Sequence, residues 1–284
     1  MRLANLAGRA VVVTGGGAVD LAEASDGRFG PDPAAVFDHW DDVMAFVGGL
    51  GSHGAVPALV PVDPARLGPP SPTPRQVFAI GLNYRSHAAE SGMEVPSVPA
   101  TFTKFPACLT GQEARVELSG DTVDWEVELV AVVGRRADRV RADRAWDHVA
   151  GLTVGQDLSD RTVQFAAARQ FSLGKSFRGY APAGPWLVTP DEFTDRDDLG
   201  LGCTVNGEVV QDARTGEMIF DVAHLVAELS AVVPLLPGDL IFTGTPAGVG
   251  MGRTPPRYLA PGDVLESWIE GIGTLRTHLV DQGS

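Results

Sequence analysis

Thirty-four glycines and twenty-one prolines are scattered through these 284 residues without a period, so no apolar segment runs far before a turn residue interrupts it. That punctuation points to many turns and loops, and hence to a strand-rich fold, mixed α/β but mostly β. Residues 77–82 (VFAIGL), 123–134 (VDWEVELVAVVG) and 237–244 (PGDLIFTG) read as apolar runs bounded by turn signals. Residues 222–233 carry apolar side chains at helical spacing and form one of the few expected helices. Before them come a short strand (10–14), an amphipathic helix (33–47) and a proline-rich passage (61–74) with the composition of a linker. The expected division is a small N-terminal domain with its linker, residues 1–70, and a body of residues 71–284.

The formal charge of -14 opposes binding to nucleic acid or to an anionic membrane surface. No uninterrupted apolar stretch reaches eighteen residues and no signal-type cleavage site follows the N-terminus, so a cytoplasmic protein is expected. Cys108 and Cys203 lie in no CxxC or Cys/His cluster and read as small core residues. The VVVTGGG of residues 11–17 lacks G-x-G-x-x-G spacing and a following long helix, so it reads as a glycine hairpin turn and not as a nucleotide loop.

Chemistry concentrates in a few segments. In residues 123–133 Asp124, Glu126 and Glu128 alternate with apolar residues, which on a strand places the acids on one face. Carboxylates two residues apart on a strand stand roughly 6–7 Å from each other and raise each other's pKa unless positive charge lies between them. That charge can come from lysine or arginine partners on a solvated face, or from a hard cation bound through oxygen. A second apolar strand ends in Gln156-Asp157, followed by Ser159, Arg161 and Gln164, and Asp157 offers a third oxygen ligand. His87 and Glu90 stand three apart in NYRSHAAE, neighbours on one helical face, either as a solvated surface pair or as a histidine oriented by a carboxylate for proton removal. Lys104 and Lys175 have apolar flanks and read as surface ammoniums or as charge for a substrate acid or oxyanion. The glycine-rich turn after LIF, with Gly244 and Thr245, lacks a phosphate-loop ending and is expected to line a carboxylate or carbonyl pocket.

From about residue 77 onward the chain resembles the fumarylacetoacetate hydrolase family, through AIGLNYRSHAAE, FTKFP, VDWEVELVAVVG, GLTVGQDLSDRTVQ, LGKSF, PAGPWLVTP, TVNGEVVQD and LIFTGTPAGVG in order. The resemblance implies a β-roll of stacked mixed sheets, assembled as a homodimer. It implies that Glu126, Glu128 and Asp157 hold one Mg²⁺ or Mn²⁺, and that His87 and Glu90 are a water-activating dyad aided by Lys175. Lys104, Arg161, Gln164, Gly244 and Thr245 become candidate substrate-binding residues, with bracing of the metal loop the alternative for Arg161 and Gln164. Arg178, where the family often has Asp, is either a site for a second substrate carboxylate or a solvent-facing cation. The implied reaction is metal-assisted hydrolysis of a C–C bond in an acylpyruvate or related 1,3-dicarbonyl or 2-oxo acid. Decarboxylation, isomerisation or dehydration of an oxaloacetate-like acid on the same site is the alternative, and a non-catalytic ligand-binding relative a further one.

Overall fold

The computed structural model describes residues 1–50, 58–168 and 170–283. Its described strands form a twelve-stranded, a five-stranded and a two-stranded sheet. Most pairings are antiparallel, but Leu240–Phe242 runs parallel to Val77–Gly81 and Gly273–Val280 parallel to Glu113–Glu117, so the sheets are mixed. The fold is thus mixed α/β and mostly β.

The core is built where apolar runs meet in the middle of the large sheet. Val127–Val133 is buried along its whole length because it pairs on one edge with Val149–Gln156 and on the other with Leu240–Phe242. The five-stranded sheet, which includes Gly200–Val205 and Val264–Ile269, joins one continuous hydrophobic cluster with them. Cys108 and Cys203 are fully buried, free thiols within that cluster, as expected of small core residues.

The N-terminal hairpins have a small core of their own, Ala4, Leu6, Val11, Ala18 and Leu67. They also extend the large sheet, because Arg2–Leu6 pairs with Ala181–Val188 in the register Arg2↔Val188. The VVVTGGG segment is a hairpin turn, closing Arg9–Thr14 against Gly17–Asp20. The proline-rich passage is more ordered than a linker: Leu67–Gly68 pairs with Leu6 and Asn5.

Two local expectations need adjustment and a third holds. The helix expected over 33–47 is Trp40–Gly48, preceded by a 3₁₀ turn at Phe37–His39, and Val222–Val232 is helical as the spacing predicts. The acidic strand expected over 123–133 is two strands, Val123–Asp124 and Val127–Val133. The first pairs with Ser159–Asp160 and the second with Val149–Gln156, so the ladder breaks between them and Asp124 faces a different set of partners from Glu126 and Glu128.

Candidate active site

The break at Trp125–Glu126 leaves three consecutive backbone N–H groups, of Trp125, Glu126 and Val127, to be satisfied by side chains, the first by Asp124 Oδ1. Gln156 Oε1 accepts from Glu126 N at 2.9 Å and Gln211 Oε1 from Val127 N at 2.9 Å. Each glutamine is anchored at its other end, Gln156 Nε2 donating to Ser267 Oγ and Gln211 Nε2 to Thr245 Oγ1 and Pro246 O. The two amides hold the bend that turns Glu126 toward Glu128 and Asp157.

Carboxylate oxygens of Glu126, Glu128 and Asp157 lie within 4.8 Å of one another, and all three residues are buried. Lys175 Nζ donates to Glu126 Oε2 at 2.7 Å, to Asp157 Oδ2 at 2.6 Å and to Ser159 Oγ at 2.8 Å. Lys104 Nζ donates to Asp157 Oδ1 at 2.5 Å and to the Lys175 carbonyl. Arg161 pairs with Glu126 Oε1 at 2.7 Å and, through Nε and Nη2, with Asp124 Oδ2.

Four buried carboxylates (Asp124, Glu126, Glu128, Asp157) therefore face three buried cations (Lys104, Lys175, Arg161). The one left over is Glu128, which among the described residues is in no ion pair and accepts from the backbone N–H of Gly244 at 2.8 Å. Burial and then the like charges of Asp157 and Glu126 push its carboxyl well above the ordinary range. Burial works against ionisation of Glu126 too, but there the Lys175 and Arg161 charges win and hold it down at about 2. A buried carboxylate without a cationic partner, beside two others with oxygens at short range, is a donor set suited to a hard divalent ion. These residues fit Mg²⁺ or Mn²⁺.

Arg85–Glu90 is the short helix that NYRSHAAE predicts a place for, and it brings His87 Nδ1 to 3.4 Å from Glu90 Oε2. That is long for a hydrogen bond, as catalytic pairs often are before substrate arrives. Glu90 is fixed from the other side by the Gly248 N–H, 3.0 Å from Oε1, and His87 Nε2 is unpaired among the described residues. Burial opposes its ionisation, yet the bonds from His87 and Gly248 lower the Glu90 pKa, favouring the carboxylate an orienting partner must be.

His87 shares a cavity of about 40 Å³ with Glu126, Arg161, Gln164, Lys175 and Thr245. Glu90, Glu128 and Asp157 stand behind that lining, and three of the substrate-binding candidates do not reach it either. Lys104 sits behind Asp157 with no exposed surface, Gly244 gives its N–H to Glu128, and Arg178 is exposed with no ion pair among the described residues. Thr245 reaches the cavity with its hydroxyl already engaged, donating to Val127 O at 2.9 Å and accepting from Gln211. Arg161 also gives Nη1 to Gln164 Oε1, so its guanidinium braces acids before any substrate is present. Sequence reasoning passed over Asp124, Gln156 and Gln211 as site residues. The available signal for Gln211 was its place in the TVNGEVVQD motif; the structure buries it within the strand Glu208–Arg214, where its amide must find partners.

Residues 76–280 match the profile of the fumarylacetoacetate (FAA) hydrolase C-terminal family. A crystal structure described as an HpcE protein from Mycobacterium smegmatis superposes with a TM-score of 0.94 at 52% identity, covering 99% of this chain and 100% of that one. The mitochondrial oxaloacetate tautomerase Fahd2a of Rattus norvegicus is 39% identical over 224 residues, 78% of this chain and 72% of its own. The maleylpyruvate hydrolase of Sphingobium sp. SYK-6, solved with manganese(II) and pyruvate, has a TM-score of 0.79 at 28% identity over 99% of both chains. This chain belongs to the fumarylacetoacetate hydrolase family. It is an enzyme of that family, and the relatives it resembles include tautomerases, isomerases and hydrolases.

Proposed function

We propose that this protein is a divalent-metal hydrolase that cleaves the C–C bond between the carbonyls of a compact acylpyruvate. The observation that carries this reading is His87, held at Nδ1 by Glu90 and open at Nε2, in one cavity with Glu126 and Lys175. Glu126, Glu128 and Asp157 would hold Mg²⁺ or Mn²⁺, which when bound acts as a Lewis acid toward adjacent keto and carboxylate oxygens and stabilises enolate charge. The Sphingobium relative, solved in complex with manganese(II) and pyruvate, supports a divalent ion in this reading. His87 takes a proton from water, and Glu90 stabilises the resulting imidazolium. The hydroxide oxygen bonds to the distal carbonyl carbon, the C–C bond breaks, and its electron pair leaves on the pyruvate fragment, which is then protonated. Lys175, charged and buried against its acids, supplies positive potential at the cavity wall.

The remaining lining indicates what lies distal to the reacting bond. Phe102, Phe165, Phe171, Met93 and Met251 are apolar, and the two cations of the lining, Arg161 and Lys175, are engaged by carboxylates. An uncharged acyl group suits that wall better than a second carboxylate. The test is pyruvate release from acylpyruvates with Mn²⁺ or Mg²⁺, with and without chelator. Chelator-sensitive release is expected, and none on any acylpyruvate would remove the hydrolase reading.

A second reading, tautomerisation of oxaloacetate, is favoured by the rat relative and by a cavity of about 40 Å³, which admits only about three waters. There His87 would carry a proton between carbon and oxygen without water attack. Accelerated enol-to-keto conversion of oxaloacetate with no pyruvate release from acylpyruvates would select it. We also propose a small N-terminal domain ending near residue 70, a homodimer and a cytoplasmic site of action. Among the described residues no helix is long and apolar enough to cross a membrane. Light scattering of the eluting protein tests the dimer.

A further inference from the structure

We infer that Asp124, which is not one of the three clustered acids, is a positioning residue that ties the metal carboxylates to the His87–Glu90 dyad. This rests on the reading of both groups given above. Asp124 is fully buried and accepts five hydrogen bonds from three separate parts of the chain. Arg161 donates Nε at 2.8 Å and Nη2 at 2.7 Å, the neighbouring Trp125 N donates at 2.8 Å, and the loop N–H groups of Gly250 and Met251 donate at 2.6 and 3.0 Å.

Each set leads to a functional group. Through its other arm Arg161 holds Glu126 Oε1, so the charge of Asp124 fixes where that guanidinium stands and shares its positive charge away from the metal ligand. Two residues before Gly250 the same loop gives the Gly248 N–H to both oxygens of Glu90, and Gly248 O in turn accepts from Trp125 Nε1 at 3.0 Å. The loop is packed without slack: a Cβ on Gly250 would lie 2.7 Å from Asp124 Oδ1, and one on Gly252 2.4 Å from Glu90 Cγ. Displacing the loop from Asp124 therefore moves the groove that fixes Glu90.

Two variants separate the two arms. Asp124→Asn leaves Arg161 with Glu126 as its one carboxylate partner, and we expect Mn²⁺ affinity, read by calorimetry on chelator-stripped protein, to fall about 10- to 100-fold, the usual effect of losing an outer-shell partner. Its kcat falls more than its KM rises. Trp125→Phe removes the hydrogen bond to Gly248 O while keeping an aromatic face under Arg253 and Arg257 and leaving Arg161 untouched, so kcat falls while Mn²⁺ affinity stays within about twofold, and in a Glu90→Gln background the Trp125 change costs nothing further. Asp124→Asn with parental affinity and kcat overturns the inference. If that variant does not fold, Trp125 and Glu90 effects that simply add overturn it instead. A parent protein that binds no Mn²⁺ overturns the metal reading itself, and this inference with it, which is a separate and recognisable result.

Discussion

Glu128 is the residue in which burial and charge are least reconciled, because its carboxyl has a backbone N–H and, among the described residues, no ion pair. Replacing that carboxyl removes the cost of keeping an acid at this buried position in the metal-free protein while depriving the ion of a ligand. We expect metal-free Glu128→Gln to melt at or above the parent, and the Mn²⁺-dependent rise in Tm to vanish; for the parent at 100 times Kd that rise corresponds to about 2.7 kcal/mol. A melting temperature that falls in the metal-free variant contradicts this reading of the charge. His87→Ala, by contrast, should keep the Mn²⁺-dependent rise while losing about 10²- to 10⁴-fold in kcat, the ordinary worth of a general base. Parental turnover in that variant means the dyad is misassigned. The types and spacing of these residues were legible before any fold was known. What was not legible is direction: Lys104 carries an apolar-flanked ammonium like Lys175, but only the tertiary path of its strand end decides that it stands behind Asp157 and not in the cavity.

At the level of elements, one turn and one hairpin show how local geometry serves the site. Gly244 adopts φ +97°, and an added Cβ would come within 2.7 Å of Asn83 Cβ and 2.9 Å of Ile80 O. Gly244→Ala must therefore strain the turn by about 1–3 kcal/mol and draw the N–H away from Glu128. Denaturant unfolding and Mn²⁺ titration check it, and an unchanged midpoint would show that the turn yields freely. The Arg9–Thr14 hairpin is closed by Arg9 on Asp20, which also caps the Leu21–Ala24 helix. The hydrogen bond from Arg9, outweighing burial, holds the Asp20 carboxyl below its ordinary 3.8. The unfolded chain thus takes up this proton first, so the contribution is complete above the ordinary carboxylate range and fades as pH falls through the lowered value. Between about pH 5 and pH 2, Asp20→Asn should lose stability less steeply than the parent, as measured by urea midpoints; equal slopes refute it. Turn glycines and the Val222–Val232 helix are readable because period and backbone preference are local. The break at Trp125–Glu126 was not, since alternation continues straight through it and the glutamines that stabilise it lie 30 and 84 residues away.

For the molecule as a whole, the site sits where several distant segments converge on the middle of one large sheet. Family motifs made the body of the chain recognisable, and glycine and proline spacing made its strand-rich character plain. The register Arg2↔Val188, which sews the N-terminal hairpins onto that body, joins strands 186 residues apart and depends on which edge is free, a property no local pattern carries. The convergence matters because it buries four acids with three cations, leaving a deficit of positive charge that only the assembled fold creates. Titrating Mn²⁺ into chelator-stripped protein by calorimetry tests that deficit most directly. We predict one ion bound per chain in the parent and none in Glu128→Gln, whereas absent binding in the parent, or undiminished binding in the variant, would contradict the metal site on which the proposed chemistry depends.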